Sequence, residues 1–536
     1  MSTSAMLSRF IQSHVRLVEP LARQAALADW QLQTQGSSEA IVQATEAKLR
    51  LSRVYADKEN FAFLDSLAFE KIEPSVLARQ GALLRMQFLS GQMDESLIDE
   101  IVRLEIEVED RFNRHRAVVD GEILTDNDID HVLASSRDTA RRKAVWEASK
   151  TVGGEICASV LKLVELRNRE ARRLGFRSYF QLALELQEID ETELFDLLER
   201  LKALSDDPWH AYKSRLDARM CQELKVGARD LRPWHYTDRF FQEAMTDEVD
   251  LDRYYADKRL PELAAAFFST IGLPADDVLK RSDLFEREGK SQHAFCVDID
   301  RAGDVRVLCN IRPNERWMDT MLHELGHAVF DKFHDPDLPF LLREPAHTMA
   351  TEAVALLMGR FSKNPDWMQR YAGVSPEEAR QVAAGARKQA RENLLVFTRW
   401  SLVVTHFERS LYENPFQDLS KVWWDLVEQF QGIYRPDGRT APDWAAKIHI
   451  ATTPVYYHNY LLGETVASQL LHHLKHAVLF GQPNDALVSS PLVGEYLRNR
   501  LFRPGAARRW DAWLEHATGE SLNPAYFARE LNGDGE

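Results

Sequence analysis

The chain has 536 residues, of which 45% are hydrophobic and 28% are charged, the balance of an ordinary soluble protein. Its formal net charge of -16 at pH 7 argues against nucleic acid as a partner, because phosphate binding needs clustered Lys and Arg. No apolar run approaches the roughly 18 residues needed to span a bilayer, so we expect no membrane partner.

The N-terminal stretch "MSTSAMLSRFIQSHVRLVEP" has no long apolar core and no small-residue cleavage site. It therefore predicts the start of a helix and not a signal peptide. The four cysteines are scattered and form no CxxC pair. Few cysteines and no export signal together predict a reducing, cytoplasmic location.

Most of the sequence predicts amphipathic helices. The segments 38–67 and 191–220 place apolar residues three and four positions apart, as one face of a helix requires. The chain has no low-complexity tract, Pro/Gly/Ser linker or repeat that would divide it. We therefore expect one integrated, mainly α domain of two helical lobes over residues 1–536. Gly153 and Gly154 are candidates for a hinge or a turn.

Residues 291–314, "SQHAFCVDIDRAGDVRVLCNIRPN", differ from the rest because they are rich in Val, Ile, Phe and Cys. The central "DRAGD" predicts a turn around Gly303, and the flanking residues predict the two strands of a β-hairpin. An exposed hairpin of this kind can pair with an extended peptide along its edge.

The next helix is predicted to begin near Asn314, a favourable N-cap, and to run through "ERWMDTMLHELGHAVFDKF". His323 and His327 are four residues apart and project from one face, a spacing at which two imidazoles can bind one Zn²⁺. Glu324 points beside the metal and can accept a proton from a water bound there. The alternative is a pair of helical histidines that bind no metal.

A catalytic zinc usually has three protein ligands and one open position. Phe333 stands where the metzincin pattern has a third histidine, so that class is excluded. Glu344 directly precedes a proline, which disfavours a helix there. Glu352 lies in the helical, apolar stretch "TMATEAVALLMGRF", where an unpaired carboxylate is costly to bury.

Glu352 is therefore the predicted third ligand. The alternative is a solvent-facing glutamate at a helix start capped by Thr348 or Thr351. Other histidines are weaker candidates: "LHHLKH" places His472 and His476 at metal spacing, but without a glutamate between them it indicates a solvated helix face.

At these residues the sequence resembles a known group. The run "LHELGHAVFDKF…LPFLLREPAHTMATEAVAL" resembles the gluzincin peptidases of the angiotensin-converting-enzyme family, in which a Leu-Pro…Leu-Arg-Glu segment and a glutamate ligand follow the HExxH helix. The segments "HAFCVD", "SSRDTARRKAVWEASKTVG" and "AKIHIATTPVYYHNYLLGE" resemble other parts of that family. "HELGHAVF" and "YYHNYL" are also similar to motifs of the thimet oligopeptidase and oligoendopeptidase group.

The resemblance covers about residues 135 to 480, and its zinc motifs, within a zinc-site core of about residues 290–465, are the most specific part. It implies a mainly α, two-lobed metallopeptidase fold with a deep central cleft and a small β-hairpin beside the zinc helix. It also implies a role for each matching residue. The implied zinc ligands are His323, His327 and Glu352, the catalytic residues Glu324, His449 and Tyr460, and the substrate-binding residues His293, Ala294, Lys447 and Tyr457.

In that assignment His449 and Tyr460 donate hydrogen bonds to the developing oxyanion, the kind of interaction that contributes most to such catalysis. Tyr457 and Lys447 hold the peptide's C-terminal carboxylate, and His293 with the Ala294 backbone holds the peptide strand. The alternative for the tyrosines is aromatic core packing, and for Lys447 a solvated helix position.

Three positions depart from the family pattern. Asn459 replaces an arginine that binds activating chloride in the converting enzyme. Tyr236 falls where a carboxylate-binding glutamine is expected, which makes strict release of C-terminal dipeptides doubtful. Leu356 replaces an Asp four residues after the third ligand, so the surroundings of the zinc must differ.

We therefore predict zinc-dependent hydrolysis of peptide bonds in short peptides by a zinc-activated water, with one Zn²⁺ per chain. The activity is that of an oligopeptidase or a peptidyl-dipeptidase. An aminopeptidase would need an acidic pocket for a free amine, and no motif for one is present. A catalytically silent peptide-binding protein is the alternative from another class; the intact Glu324 argues against it.

Overall fold

The computed structural model describes residues 2–245, 250–291, 293–483 and 485–533. Within these residues most of the chain is helical, and the strands form two antiparallel hairpins. The mainly α fold predicted from the sequence is confirmed. The described residues contain no helix that is both long enough and apolar enough to cross a bilayer.

The α-helices of the described residues are, in chain order, α1 (Thr3–Gln35), α2 (Ser38–Tyr55), α3 (Lys58–Asp65), α4 (Ser75–Ser90), α5 (Glu95–Arg114), α6 (Asp126–Ser135), α7 (Thr139–Ser149), α8 (Thr151–Arg173), α9 (Tyr179–Glu185), α10 (Glu191–Leu224), α11 (Leu260–Thr270), α12 (Asp276–Arg281), α13 (Glu315–Lys332), α14 (Thr348–Gly359), α15 (Pro365–Trp367), α16 (Pro376–Glu413), α17 (Leu419–Gln431), α18 (His449–Thr452), α19 (Tyr457–His473), α20 (Ala486–Ser489), α21 (Pro491–Tyr496), α22 (Trp510–Thr518) and α23 (Ala525–Asn532). The strands are β1 (Ala117–Val119), β2 (Glu122–Leu124), β3 (Phe295–Asp298) and β4 (Val305–Leu308). π-helical segments occupy Met368–Ala372, Leu474–Val478 and Leu497–Phe502.

The chain forms two compact units, and each is assembled from three separate stretches of sequence. Unit 1 consists of Met1–Gln92, Glu248–Arg387 and Leu462–Phe527, and unit 2 of Met93–Asp247, Lys388–Leu461 and Ala528–Glu536. Three of the boundaries fall inside helices, in α16, α19 and α23. No change in composition marks such boundaries, which is why the sequence did not place them. The single two-lobed domain and its cleft stay predictions.

In unit 1 the helix that contains HELGH has the predicted limits. Asn314 is its N-cap, and the side-chain oxygen accepts a hydrogen bond of 2.9 Å from the Trp317 N–H. Helix α14 packs directly on α13 at Gly326, where an added Cβ would lie 2.7 Å from Cα of Ala355. Only glycine allows this approach, so the two helices lie unusually close at that level.

The predicted β-hairpin is also confirmed. Strands β3 and β4 pair antiparallel with Phe295 opposite Leu308, and Gly303 in the connecting turn has a φ of 107°, which favours glycine. Trp30 of α1 meets the Phe295 ring edge to face at 6.2 Å and packs with the buried Ile299 and Leu308. The hairpin is thereby attached to the N-terminal helix of unit 1.

In unit 2 the expectation of a hinge or turn at Gly153–Gly154 was wrong, because both glycines lie in the first turn of α8. A Cβ at Gly153 would lie 2.6 Å from the carbonyl oxygen of Pro442, so this glycine permits close packing. Gly154 is exposed, with no atom within 4 Å of an added Cβ. Gly153 is therefore explained by close packing, and nothing in the structure explains Gly154.

We predict that Gly326→Ala lowers the melting temperature, because the new methyl group meets backbone and forces α13 and α14 apart at a cost of about 1–3 kcal/mol. Gly154→Ala is the matched control, since the same change in an exposed helix interior is neutral or slightly stabilising. Circular dichroism melting curves of the two variants measure the difference. Equal melting temperatures would contradict the close packing of the two helices.

Candidate active site

Unit 1 brings the three predicted metal ligands together. His323 and His327 project from α13 with their ring centroids 4.9 Å apart, and Glu352 projects from α14. Oε2 of Glu352 lies 3.7 Å from Nε2 of His323 and 3.8 Å from Nε2 of His327. One ligand atom from each residue lies within 4.8 Å of the others.

These separations fit a shared metal ion better than direct hydrogen bonds. Ligand atoms at about 2.0–2.2 Å from a tetrahedral zinc lie about 3.3–3.6 Å apart, close to the observed spacing. Two imidazoles and one carboxylate also match the donor set of catalytic zinc sites. The described part of the chain contains no second group of three such residues that could hold a metal ion.

The electrostatic environment of the group favours a cation. Burial lowers the pKa of His327 to about 3, with a further contribution from His323, and burial lowers the pKa of His323 as well. Both rings are thus neutral at physiological pH and have a lone pair for a metal. Burial, together with Glu464, raises the pKa of Glu352 to about 7. A divalent cation would offset the cost of ionising this carboxylate.

Glu324 lies next to the first ligand and is only 7% exposed. Burial, followed by the charge of Glu352, raises its pKa to about 8. A buried carboxyl group with a pKa near neutrality can exchange a proton during a reaction, as general acid–base catalysis requires. The arrangement suits Glu324 to proton transfer beside the three ligands.

Contacts from the surrounding helices fix the ligands. Oγ1 of Thr351 lies 2.7 Å from Nδ1 of His327. Gly463 of α19 packs against Glu352, because a Cβ added at Gly463 would lie 3.3 Å from Cβ of Glu352. Two consecutive residues of α14 thus contribute to the group: Glu352 as a predicted ligand, and Thr351 through its contact with His327.

The alternative for Glu352, a solvent-facing residue in a capped first turn, does not describe α14. The cap is His347, whose Nδ1 accepts a hydrogen bond of 2.9 Å from the Met349 N–H. The Glu352 side chain is 15% exposed. Glu344, rejected from the sequence as a ligand, forms an ion pair with Arg301.

The His472 ring contacts the rings of both His476 and Tyr526, and among the described residues these histidines belong to no group of three that could hold a metal. Their rings lie 4.3 Å apart, and the His472 ring lies 4.2 Å from that of Tyr526. The expectation of a plain solvated helix face was incomplete, because part of this face is covered by α23.

Unit 2 brings together four of the residues predicted to hold substrate and oxyanion, namely Lys447, His449, Tyr457 and Tyr460. The Tyr457 ring lies 5.4 Å from the His449 ring and 5.6 Å from the Tyr460 ring. The Lys447 ammonium lies 5.5 Å from the centroids of both Tyr457 and Trp400 and donates a hydrogen bond of 2.8 Å to Gln242. Lys447 is therefore not a solvated surface lysine.

The backbone just before the tyrosines is strained and held in place by two side chains. Val455 has a φ of 56°, a left-handed conformation that a β-branched residue rarely adopts. Its N–H donates to Glu408 at 2.8 Å, and its carbonyl accepts from Gln187 at 3.2 Å. The Oε1 atom of Gln187 also accepts a hydrogen bond of 2.7 Å from Asn459. These contacts fix the start of α19, which contains Tyr457 and Tyr460.

His293 and Ala294 precede β3 in unit 1, and His293 is exposed. Their backbone is thus the start of the hairpin edge that was predicted to meet a peptide. The metal group and this edge belong to unit 1, and the segment from Lys447 to Tyr460 belongs to unit 2.

Comparison with known proteins gives the family. The family model described as angiotensin-converting enzyme matches residues 1–212 and 235–526, most of the chain. The chain belongs to the angiotensin-converting enzyme family. The segment 213–234 lies outside the match.

The chain is also similar to two curated proteins, at 22% identity to each. The chain is 22% identical over 374 residues to the "Inactive angiotensin-converting enzyme-related protein" of Caenorhabditis elegans, covering 61% of this chain and 40% of that protein. It is 22% identical over 263 residues to "Thermostable carboxypeptidase 1" of Pyrococcus furiosus, covering 45% of this chain and 52% of that protein. The alignments thus span about half the length of these relatives.

The positions that depart from the angiotensin-converting enzyme family have local partners here. Tyr236 is buried, and its hydroxyl donates to Asp217 at 2.9 Å and accepts from Lys213 at 2.8 Å. Asn459 is buried, and its amide donates to Gln187. A neutral amide pair thus occupies the position at which the resemblance places a chloride-binding arginine.

The sequence patterns do not identify Thr351, Gln187 or Glu408 as functional residues. The sequence indicated Thr351 only as a possible helix cap. Its position directly before Glu352 is the local feature that points to a role at the metal site. Gln187 and Glu408 lie 268 and 47 residues before Val455, and no local pattern connects them.

We predict that Gln187→Ala lowers the melting temperature and also alters the tyrosine segment. The change leaves the buried carbonyl of Val455 and the Asn459 amide without this partner, at about 1–3 kcal/mol for each unsatisfied group. Gln222→Ala, at an exposed position of α10, is the matched control. Thermal melting compares the two. Identical melting curves for both variants would show that Gln187 does not hold this segment.

Proposed function

We propose that this protein is a zinc-dependent peptidase that hydrolyses short peptides in the cytoplasm. The observation that supports it most is the convergence of His323, His327 and Glu352 with the buried Glu324 beside them. Membership of the angiotensin-converting enzyme family supports the same reaction class. The relative named as inactive makes direct measurement of activity necessary.

His323, His327 and Glu352 would hold one zinc ion. Bound there, zinc would lower the pKa of water toward about 7 and polarise the scissile carbonyl. Glu324 would take a proton from the attacking water and then deliver it to the departing amine nitrogen. Burial raises the pKa of Glu324 to about 8 when no cation is bound, and a zinc ion beside it would lower that pKa, so that the carboxylate could accept the proton.

His449 and Tyr460 would donate hydrogen bonds to the carbonyl oxygen as negative charge develops on it. Support comes from the contacts of both rings with Tyr457. The hydrogen bond from the Val455 N–H to Glu408 also fixes the backbone before Tyr460, which limits the movement of that residue. Rigidly held donors contribute most, because they need no reorganisation at the moment of reaction.

Lys447 and Tyr457 would bind the C-terminal carboxylate of the peptide, and the backbone around His293 and Ala294 would pair with its extended chain. The aromatic neighbours of Lys447 favour this, because they exclude water and strengthen a charge–charge interaction. Whether cleavage is internal or releases dipeptides is read from the products. Mass spectrometry of peptides blocked at one end or the other separates the two modes.

We predict that Glu324→Gln lowers kcat by about 10²–10⁴-fold while zinc remains bound, because the amide cannot accept the proton. Cleavage of a quenched fluorescent peptide and zinc analysis of the same preparation measure both properties. Full activity of the zinc-loaded variant would rule out this proton-transfer role. A wild-type protein that binds zinc and peptide without cleavage would instead support the silent peptide-binding alternative.

A second prediction concerns pH. Burial lowers the pKa of Lys447 to about 8, so the ammonium loses its proton as pH rises through that value. The attraction for a peptide carboxylate is complete below about pH 7 and lost above about pH 9. KM for a peptide with a free C-terminus should therefore rise over this range relative to KM for its C-terminal amide. A constant ratio of the two KM values would exclude Lys447 as the carboxylate-binding residue.

A further inference from the structure

His327 has a partner on each side of its imidazole ring. Nε2 faces the carboxylate of Glu352 at 3.8 Å, on the side where a metal would bind. Nδ1 lies 2.7 Å from Oγ1 of Thr351, a short hydrogen bond. The orientation of the ring is thus fixed from the side opposite to the metal.

The hydroxyl can in principle accept from Nδ1–H or donate to a bare Nδ1. If it donates, the single proton of the neutral imidazole stands on Nε2, and that nitrogen cannot bind a metal. If it accepts, the proton stands on Nδ1 and the lone pair of Nε2 is directed at the metal position. Metal binding therefore requires Thr351 as the acceptor.

Thr351 directly precedes Glu352 in α14, so a single helical turn orients one ligand and provides another. Leu356 lies one turn after Glu352 in the same helix. Leu356 has no polar atom in its side chain. Leu356 packs on α19, where a Cβ added at Gly463 would lie 3.3 Å from Cδ1 of Leu356. Leu356 therefore offers no hydrogen bond to the metal ligands.

We propose that Thr351 is the positioning residue of this metal site, because its hydroxyl is the hydrogen-bond partner of His327 Nδ1. This rests on the proposed zinc binding and adds to it the residue that sets the tautomer of His327. The outer partner is a neutral hydroxyl and adds no negative charge. Zinc binding at His327 therefore depends on one hydrogen bond whose removal leaves all three ligands in place.

The test is zinc affinity, measured on the metal-free full-length protein by competition with a fluorescent chelator. Thr351→Val has nearly the same shape but no acceptor, and should weaken zinc binding by about 10–100-fold. Thr351→Ser keeps the hydroxyl and should remain within about threefold of the wild type. Thr348→Val, the same change at an exposed position of the same helix, should have no effect.

Cobalt substitution provides a readout that a loss of stability would not imitate. The visible absorption of bound Co²⁺ should change in position or intensity in Thr351→Val and return in Thr351→Ser. Wild-type zinc affinity in Thr351→Val, or equal weakening in the Ser and Val variants, would overturn the assignment. If the wild-type protein itself binds no zinc, the proposed function fails along with it, and that outcome is recognised before any variant is compared.

Discussion

The contact between α13 and α14 at Gly326 and Ala355 determines whether a metal site can form. A glycine in a helix interior costs about 1 kcal/mol relative to alanine, yet here it lets the two helices approach closely enough for Glu352 to reach both histidines. Thr351 on the same turn then meets Nδ1 of His327. The spacing of the three ligands follows from helix packing, and no flexible loop contributes a ligand.

The segment from Lys447 to Tyr460 is held differently. Its backbone is fixed, above all at the strained Val455, by the buried Glu408 and the half-buried Gln187, which lie far away in sequence. Burial raises the pKa of Glu408 to about 8, so this support has its own energetic cost. Strain and buried polar groups at one position indicate that conformational precision there is retained at the expense of stability.

The sequence predicted what short patterns encode. Helix α13 with its Asn314 cap, the β3–β4 hairpin and the His323/His327 pair each follow from residues within a few positions of one another. Glu352 follows from a different signal, a lone carboxylate in an apolar helical stretch. It did not predict the contacts of Gln187, because residues hundreds of positions apart leave no periodic signal. Gly153–Gly154 was misread for a related reason: its packing partner Pro442 is distant in sequence.

The proposed function depends on zinc binding by His323, His327 and Glu352 together. X-ray absorption spectroscopy of the zinc-loaded protein tests it directly, because the method identifies the ligand atoms and their distances. We predict one zinc per chain with two imidazole nitrogens and oxygen at about 2.0–2.2 Å. Sulfur at about 2.3 Å, from cysteines such as Cys296 or Cys309, or fewer than two imidazoles would contradict it.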